Sequence, residues 1–325
     1  MSTTRVVWLF VAALTVIRFS LLATTDLSFD EAHYWMWSER LAPAYFSKGP
    51  GIAFVMRAST VVFGANEFGV RFFSPVLAAA TSLLLFYFAR RLFGATAGLW
   101  AVIGLNATPI FNIGAVVMTI DALSIFFWMA AMFTFWLALE KSPRFSWYWP
   151  LTGLLIGLGF LCKYTNAFGL ISVLAVLALV PRLRREFKRP GVYLLIAMFV
   201  LCTIPPIVWN AQHAWITLAH LRSRGNLERG FGFHPAEMLS FLGQHFIVYS
   251  PLLFLALISI SLGVLNLLPI PLLDGGHLMY YMFEIAKGSP VSDKTMEIGQ
   301  QVGMAVLFLL MAFALYNDIT RLISS

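Results

Sequence analysis

From residue 6 onward the chain is a succession of apolar runs, most of them close to 20 residues long, separated by short polar or basic breaks. A helix of about 20 apolar residues spans the hydrocarbon core of a bilayer, and only a helix or a closed barrel satisfies its own backbone there. This pattern constrains the fold more than any motif does. It predicts an all-α polytopic membrane protein. Only 11% of the 325 residues are charged and 60% are hydrophobic, against about a quarter charged in soluble domains.

The runs read as spans at roughly 6–24, 67–89, 95–113, 119–139, 147–162, 166–181, 191–209, 244–267 and 299–317, about nine in all. The apolar stretch 51–63 is short and reads as interfacial or re-entrant. The first run, in "MSTTRVVWLFVAALTVIRFSLL", resembles a signal peptide only superficially and is read as a span. Basic residues cluster at 90–91, 141–144 and 182–189. With the N-terminus in the cytoplasm all three breaks fall inside, as the positive-inside rule requires. The acidic loop 25–50 then lies outside, with the turns near 113–119 and Lys163, and the C-terminus is periplasmic. The net charge of +7 is thus a topology signal, and a nucleic-acid partner is not expected. Cys162 and Cys202 sit in apolar runs and read as buried thiols.

Two acidic stretches interrupt this pattern. In "LSFDEAHYWMWSERLAPAYFSKGP", Asp30 and Glu31 follow the first span, among His33, Tyr34, Trp35 and Trp37 and ahead of Lys48. Asp121 opens another outer-facing element, and Lys163 reaches the same side. Taken singly, these are helix ends, interfacial aromatics and snorkelling lysines. Taken together they suit chemistry on a lipid phosphate. An acid can deprotonate an acceptor hydroxyl or amine, a lysine can stabilise a phosphate leaving group, or acids and phosphate can share a divalent metal. Composition leaves these open.

Residues 1–252 resemble the N-terminal half of bacterial GT-C glycosyltransferases related to dolichyl-phosphate-mannose protein mannosyltransferases and aminoarabinose transferases. The landmarks are "SFDEAHYWMWSERLAPAYFSKGP", "NEFGVRFFS", "TIDALSIFFW", "GLGFLCKYTNAF" and "IPPIVWNAQHAWITLAHLRSRG", in that order. The resemblance implies transfer of a sugar from a polyprenyl-phosphate donor to a lipid or glycan acceptor at the outer face of the bacterial inner membrane. It implies Asp30 as catalytic acid with Glu31 in support, Asp121 as the second acidic position, and Lys48 on the lipid phosphate. It adds Arg71 and Lys163 as further substrate-binding positions, and makes His213 structural.

The second stretch, "LNLLPIPLLDGGHLMY", puts Asp274 beside Pro269, Pro271, Gly275 and Gly276, a break that allows close backbone approach. Residues 253–325 form the second region, of which about 253–321 resemble the C-terminal part of site-2 intramembrane zinc metalloproteases of the sigma-E regulator type, through "LALISISLGVLNLLPIPLLDGGHL", "KGSPVSDK" and "LLMAFALYNDITRL". That resemblance implies Asp274 as a zinc ligand and Asn266 and Pro269 in the substrate-accepting span. A His-Glu-x-x-His motif supplies the other ligands and the base in such enzymes. No two of the six histidines stand four apart. Three expectations follow: an incomplete transferase joined near residue 252 to an incomplete protease, a protease relative inactive for want of its motif, or a catalytically dead fusion serving as a membrane scaffold.

Overall fold

A computed structural model describes residues 2–224, together with Ser240, Gly243 and Gln244. The chain divides into two compact units, residues 1–221 and 222–325, and the description below concerns the first. Its regular elements are helical: α1 Thr3–Leu21, α2 Phe29–Ser38, α3 Gly51–Phe63, α4 Glu67–Arg71, α5 Phe73–Phe93, α6 Ala95–Ala107, α7 Pro109–Gly114, α8 Ile120–Lys141, α9 Tyr148–Cys162, α10 Ala167–Leu179, α11 Pro190–Gln212 and α12 Ile216–Arg224.

The reading of about nine spans is overturned. Among the described residues four helical segments are long and apolar enough to cross a membrane: Thr3–Leu21, Glu67–Phe93, Ile120–Lys141 and Pro190–Gln212. A fifth is counted if Tyr164–Leu179 and Pro181–Lys188, bent by 112°, act as one. The expected spans at 95–113 and 147–162 form helices of 13 and 15 residues, about 20 and 22 Å long against a core of about 30 Å. Pro109 explains the first shortfall. It forces Thr108 into an extended conformation (φ −77°, ψ 121°), ends α6 and starts α7 at its own position. The second apolar run stops where Lys163 turns extended (φ −145°, ψ 119°). The expected spans 244–267 and 299–317, and Asp274, lie outside the described residues.

One end of the bundle gathers the basic breaks. Arg91 pairs with Glu140 at 2.6 Å, Lys141 lies over the Tyr148 ring at 4.9 Å, and buried Glu186 accepts from Ser142 and Arg189. The break at 90–91 thus meets the end of α8, and the breaks at 141–144 and 182–189 meet each other. The other end carries α2, α3, α4 and the starts of α8 and α10. There Tyr34, Trp37, Tyr45, Met56, Met118 and Leu123 share one buried core.

Glycine sets how closely helices approach. A Cβ on Gly153 of α9 would fall on the Leu195 carbonyl of α11, whereas one on Gly104 of α6 would meet nothing within 4 Å. Alanine normally stabilises a helix by about 1 kcal/mol over glycine. Gly153→Ala is therefore expected to lower thermal stability in detergent, by about 1–3 kcal/mol of overpacking. Gly104→Ala should leave the midpoint unchanged or raise it. Equal behaviour of the two variants would refute the close α9–α11 packing.

Candidate functional site

The candidate site is anchored by α2. Ser28 caps the helix and Glu31 occupies its third position, a reciprocal capping box: the Glu31 N–H donates to Ser28 Oγ at 3.4 Å and the Ser28 N–H to Glu31 Oε2 at 2.9 Å. The Ser-Phe-Asp-Glu spacing is legible in the sequence and marks Glu31 as a helix-building residue. Glu31 is fully buried. Its Oε1 accepts from Arg71 Nε at 2.8 Å and the Met118 N–H at 2.9 Å, and its Oε2 also accepts from Arg71 Nη2 at 2.9 Å.

Arg71 uses all five of its donors. Besides the two bonds to Glu31, Nη1 donates to the carbonyls of Leu22 and Thr25 and Nη2 to that of Asp26, each at 2.8 Å. With 1% of its surface exposed, Arg71 presents no open face to a substrate in this structure. Glu31 likewise has its carboxylate oxygens occupied by the protein. Burial alone would push the Glu31 carboxyl up, but the hydrogen bonds from Arg71, Ser28 and Met118 and the Arg71 charge outweigh it, and the group is held below its ordinary value.

The remaining acids face outward. Asp30, beside Glu31 in the first turn of α2, is exposed and makes no ion pair among the described residues. Asp121 opens α8, three residues past Met118. Its Oδ1 accepts from Lys163 Nζ at 2.5 Å, in a pair that remains open to solvent. One turn further along, Ser124 Oγ donates to Asn166 Oδ1 at 2.6 Å and Asn166 Nδ2 donates back to the Ser124 carbonyl at 3.2 Å. These buried bonds hold the start of α8 to the turn after α9, and so set Asp121 opposite Lys163.

Lys48 reaches the same place by backbone contact. Its carbonyl accepts the Tyr45 N–H at 3.0 Å, closing a turn. The following Gly49 and Gly51 press on the end of α9: a Cβ on the first would fall on the Leu161 carbonyl, and on the second against Cys162 Sγ. The segments bearing Lys48 and Lys163 therefore lie side by side. Tyr45 is fixed by stacking on Trp37 (ring centroids 4.4 Å apart, planes 3° from parallel) and by donating to the Trp37 carbonyl at 2.9 Å. Thr217 of α12 donates to the Tyr45 carbonyl at 3.3 Å. His213 lies outside this cluster, stacked on Trp209 at 4.0 Å.

An apolar cavity of about 670 Å³ opens beside the two lysines, lined among others by Pro50, Phe54, Phe127, Leu158, Cys162 and Pro205. Its wall thus includes Pro50, two residues past Lys48, and Cys162, which immediately precedes Lys163. Among the described residues no group of three or more His, Cys, Asp or Glu side chains is placed to hold a metal ion.

The described residues thus form a helical membrane bundle in which the segments carrying Lys48 and Lys163 adjoin an apolar cavity. The structure resembles that of apo ArnT from Cupriavidus metallidurans, with a TM-score of 0.55 at 22% identity, over 68% of this chain and 45% of that one. Residues 47–209, just over half of the chain, match the dolichyl-phosphate-mannose-protein mannosyltransferase family, and the chain belongs to that family. The lipid A galacturonosyltransferase RgtD of Rhizobium johnstonii is 29% identical over 236 residues, 72% of this chain and 49% of that protein. Residues 234–310 match peptidase family M50. There the regulator of sigma-E protease RseP of Salmonella typhimurium is 51% identical over 71 residues, 22% of this chain and 16% of RseP. The chain thus joins a GT-C-like segment to an M50-like segment. It spans about half the length of RgtD and a smaller share of the protease relatives.

Removing one partner of a buried ion pair leaves the other uncompensated. Glu31→Gln is expected to cost about 3–5 kcal/mol at neutral pH. A carboxyl with a depressed folded-state pKa contributes its stability in full above the unfolded value of about 4.3 and loses it as pH falls through the folded value. Thermal melts should therefore show a constant gap between wild type and Glu31→Gln above about pH 5. That gap should narrow only as the pH falls below the ordinary carboxylate range. A gap that closes between pH 7 and 5 would refute the assignment.

Proposed function

We propose that the GT-C-like segment derives from, and retains the donor site of, a glycosyltransferase that moves a sugar from a polyprenyl-phosphate to a lipid or glycan acceptor, at the periplasmic face of the inner membrane. The observation that carries this reading is the junction of Lys48 and Lys163 with the apolar cavity. A polyprenyl-phosphate sugar has the matching halves: an isoprenoid tail for the apolar wall and a phosphate for the lysines.

In this mechanism Asp30 takes the proton from the acceptor hydroxyl or amine. The freed lone pair forms a bond to the anomeric carbon, and the bond from that carbon to the phosphate oxygen breaks. The electron pair leaves with the polyprenyl phosphate, whose charge Lys48 and Lys163 stabilise. Asp121 holds Lys163 in place and is available to the acceptor. Glu31 and Arg71 act as positioning residues, fixing the turn from which Asp30 projects. A divalent metal bridging acids and phosphate was a further expectation. The described residues do not form a protein cage for one, so no step is routed through it.

The M50-like segment supports a second reading, a zinc protease relative with Asp274 as a ligand. The chain contains no His-Glu-x-x-His motif, so this segment alone has neither a paired-histidine site nor the glutamate that would activate water. Inactivity as a protease is the expectation on this reading.

Reconstituted protein given a radiolabelled polyprenyl-phosphate sugar and an acceptor extract tests the assignment. Asp30→Asn should lower turnover by about 10²–10⁴-fold while donor retention is unchanged, and Lys163→Ala should weaken both. Turnover by Asp30→Asn equal to wild type would sink the proposed base.

A further inference from the structure

The described bundle buries two arginines at the end that carries the candidate site, and they are treated differently. Arg71 has a carboxylate and a partner for each donor. Arg18, in the last turn of α1, is 4% exposed. Its Nη2 donates to Asn106 Oδ1 at 2.8 Å and Asn112 Oδ1 at 2.7 Å, and its guanidinium lies over the Phe111 ring at 5.7 Å. The donors on Nε and Nη1 have no hydrogen-bond partner among the described residues and are not among the fully buried unpartnered atoms. Unlike Arg71 with its donors all taken, Arg18 thus keeps its free donors at the small part of it that reaches the surface. No Asp or Glu among the described residues pairs with it.

A charge buried without a counter-charge is costly, and an intramembrane ionisable group marks a functional site by default. Two amide oxygens and the dipole at the end of α1 offset only part of a full positive charge. The amides are also committed elsewhere: Asn106 Nδ2 donates to Ser82 Oγ and the Val102 carbonyl, and Asn112 Nδ2 to the carbonyls of Asn106 and Thr108. Both asparagines are thereby locked with their oxygens toward Arg18. The arrangement orients the guanidinium and leaves part of its fork unused.

Position supplies the second half of the case. Arg18 precedes Leu22, whose carbonyl accepts from Arg71, by one helical turn, so it lies at the same end of the described bundle as Asp30. It stands about 5 Å short of the end of α1, and headgroup phosphates gather where a span of about this length leaves the hydrocarbon. The adjoining α7 exposes Ile110 and Ile113, an apolar surface against which acyl chains can lie. Guanidinium is the group best matched to a phosphate in a partly dehydrated setting.

We infer that Arg18, oriented by Asn106 and Asn112, is a binding site for the anionic phosphate headgroup of a membrane lipid, distinct from the Lys48–Lys163 site. The inference stands on Arg18 alone and does not require the glycosyl-transfer reading.

The test places the photo-crosslinker p-benzoylphenylalanine at exposed position 113 of the full chain, in nanodiscs of mixed phosphatidylglycerol and phosphatidylcholine. This reports the α7 surface and not the basic end of the bundle. With Arg18 present, phosphatidylglycerol adducts should exceed their share of the bilayer by about fivefold to tenfold, the preference that the net worth of one hydrogen bond provides. Arg18→Gln should bring adducts to the bilayer ratio, and Arg18→Lys should keep part of the enrichment. Excess inorganic phosphate that leaves the enrichment intact supports a lipid, and phosphate that abolishes it assigns the site to a soluble phosphate and overturns the lipid. No enrichment in the Arg18 protein also overturns the inference, and this needs no variant at position 18 to fold. It would mean the asparagines alone solvate the cation.

Discussion

The Glu31–Arg71 pair is the constraint on which this end of the bundle depends. It joins four separate pieces of chain: the end of α1 through Leu22, the loop at Thr25 and Asp26, the first turn of α2, and the segment entering α8 through Met118. Lysine could not replace the arginine, since three donors on one nitrogen cannot reach a carboxylate and three carbonyls at once. Desolvating two charges is expensive and a buried pair is weak evidence for stability. What it provides here is uniqueness of geometry: the carbonyls of Leu22, Thr25 and Asp26 are held by one guanidinium, which fixes the path of that loop. Asp30 inherits its position from the residue beside it.

The second constraint is backbone proximity at the end of α9. Gly49 and Gly51 admit the Lys48 loop to the Leu161–Cys162 backbone at a distance that any side chain would prevent. Segments carrying two lysines more than a hundred residues apart are thereby brought together, and neighbours of both lysines line an apolar cavity. Like charges on adjoining segments repel, and the exposed Asp121 partner of Lys163 relieves part of that. An edge of this kind favours an anion whose body is apolar.

Much of this was legible in the sequence, and the remainder was hidden for identifiable reasons. Apolar runs gave an all-α membrane bundle, and the basic breaks correctly grouped at one end, because both depend on local composition. The span count failed because hydropathy does not register backbone direction. Pro109 ends a helix inside a continuous apolar run, while the run at 147–162 ends at Lys163 as expected but is too short to span. Acids and lysines at 30, 48, 121 and 163 could be picked out as unusual in such company. Their pairing could not, because Asp121 meets Lys163 through Ser124 and Asn166, and Lys48 arrives through two glycines. Arg18 escaped notice because a single arginine near a helix end resembles a snorkelling one. Only the structure reveals that its side chain turns inward onto two asparagines.

The joined architecture sharpens the question of what each part can do. The described walls of the cavity, from the loop at 41–43 through α3, α8 and α9 to Pro205 of α11, fall before the M50-like segment begins at residue 234. The lysines and acids beside it do too. On the reading proposed above, the donor-recognising lysines therefore belong to the first unit. Rate acceleration depends on holding both reactants within near-attack distance. On that reading, a chain that positions the donor but not the acceptor binds donor without turnover. A donor that binds and is not consumed would point to the acceptor side as the part the join has changed.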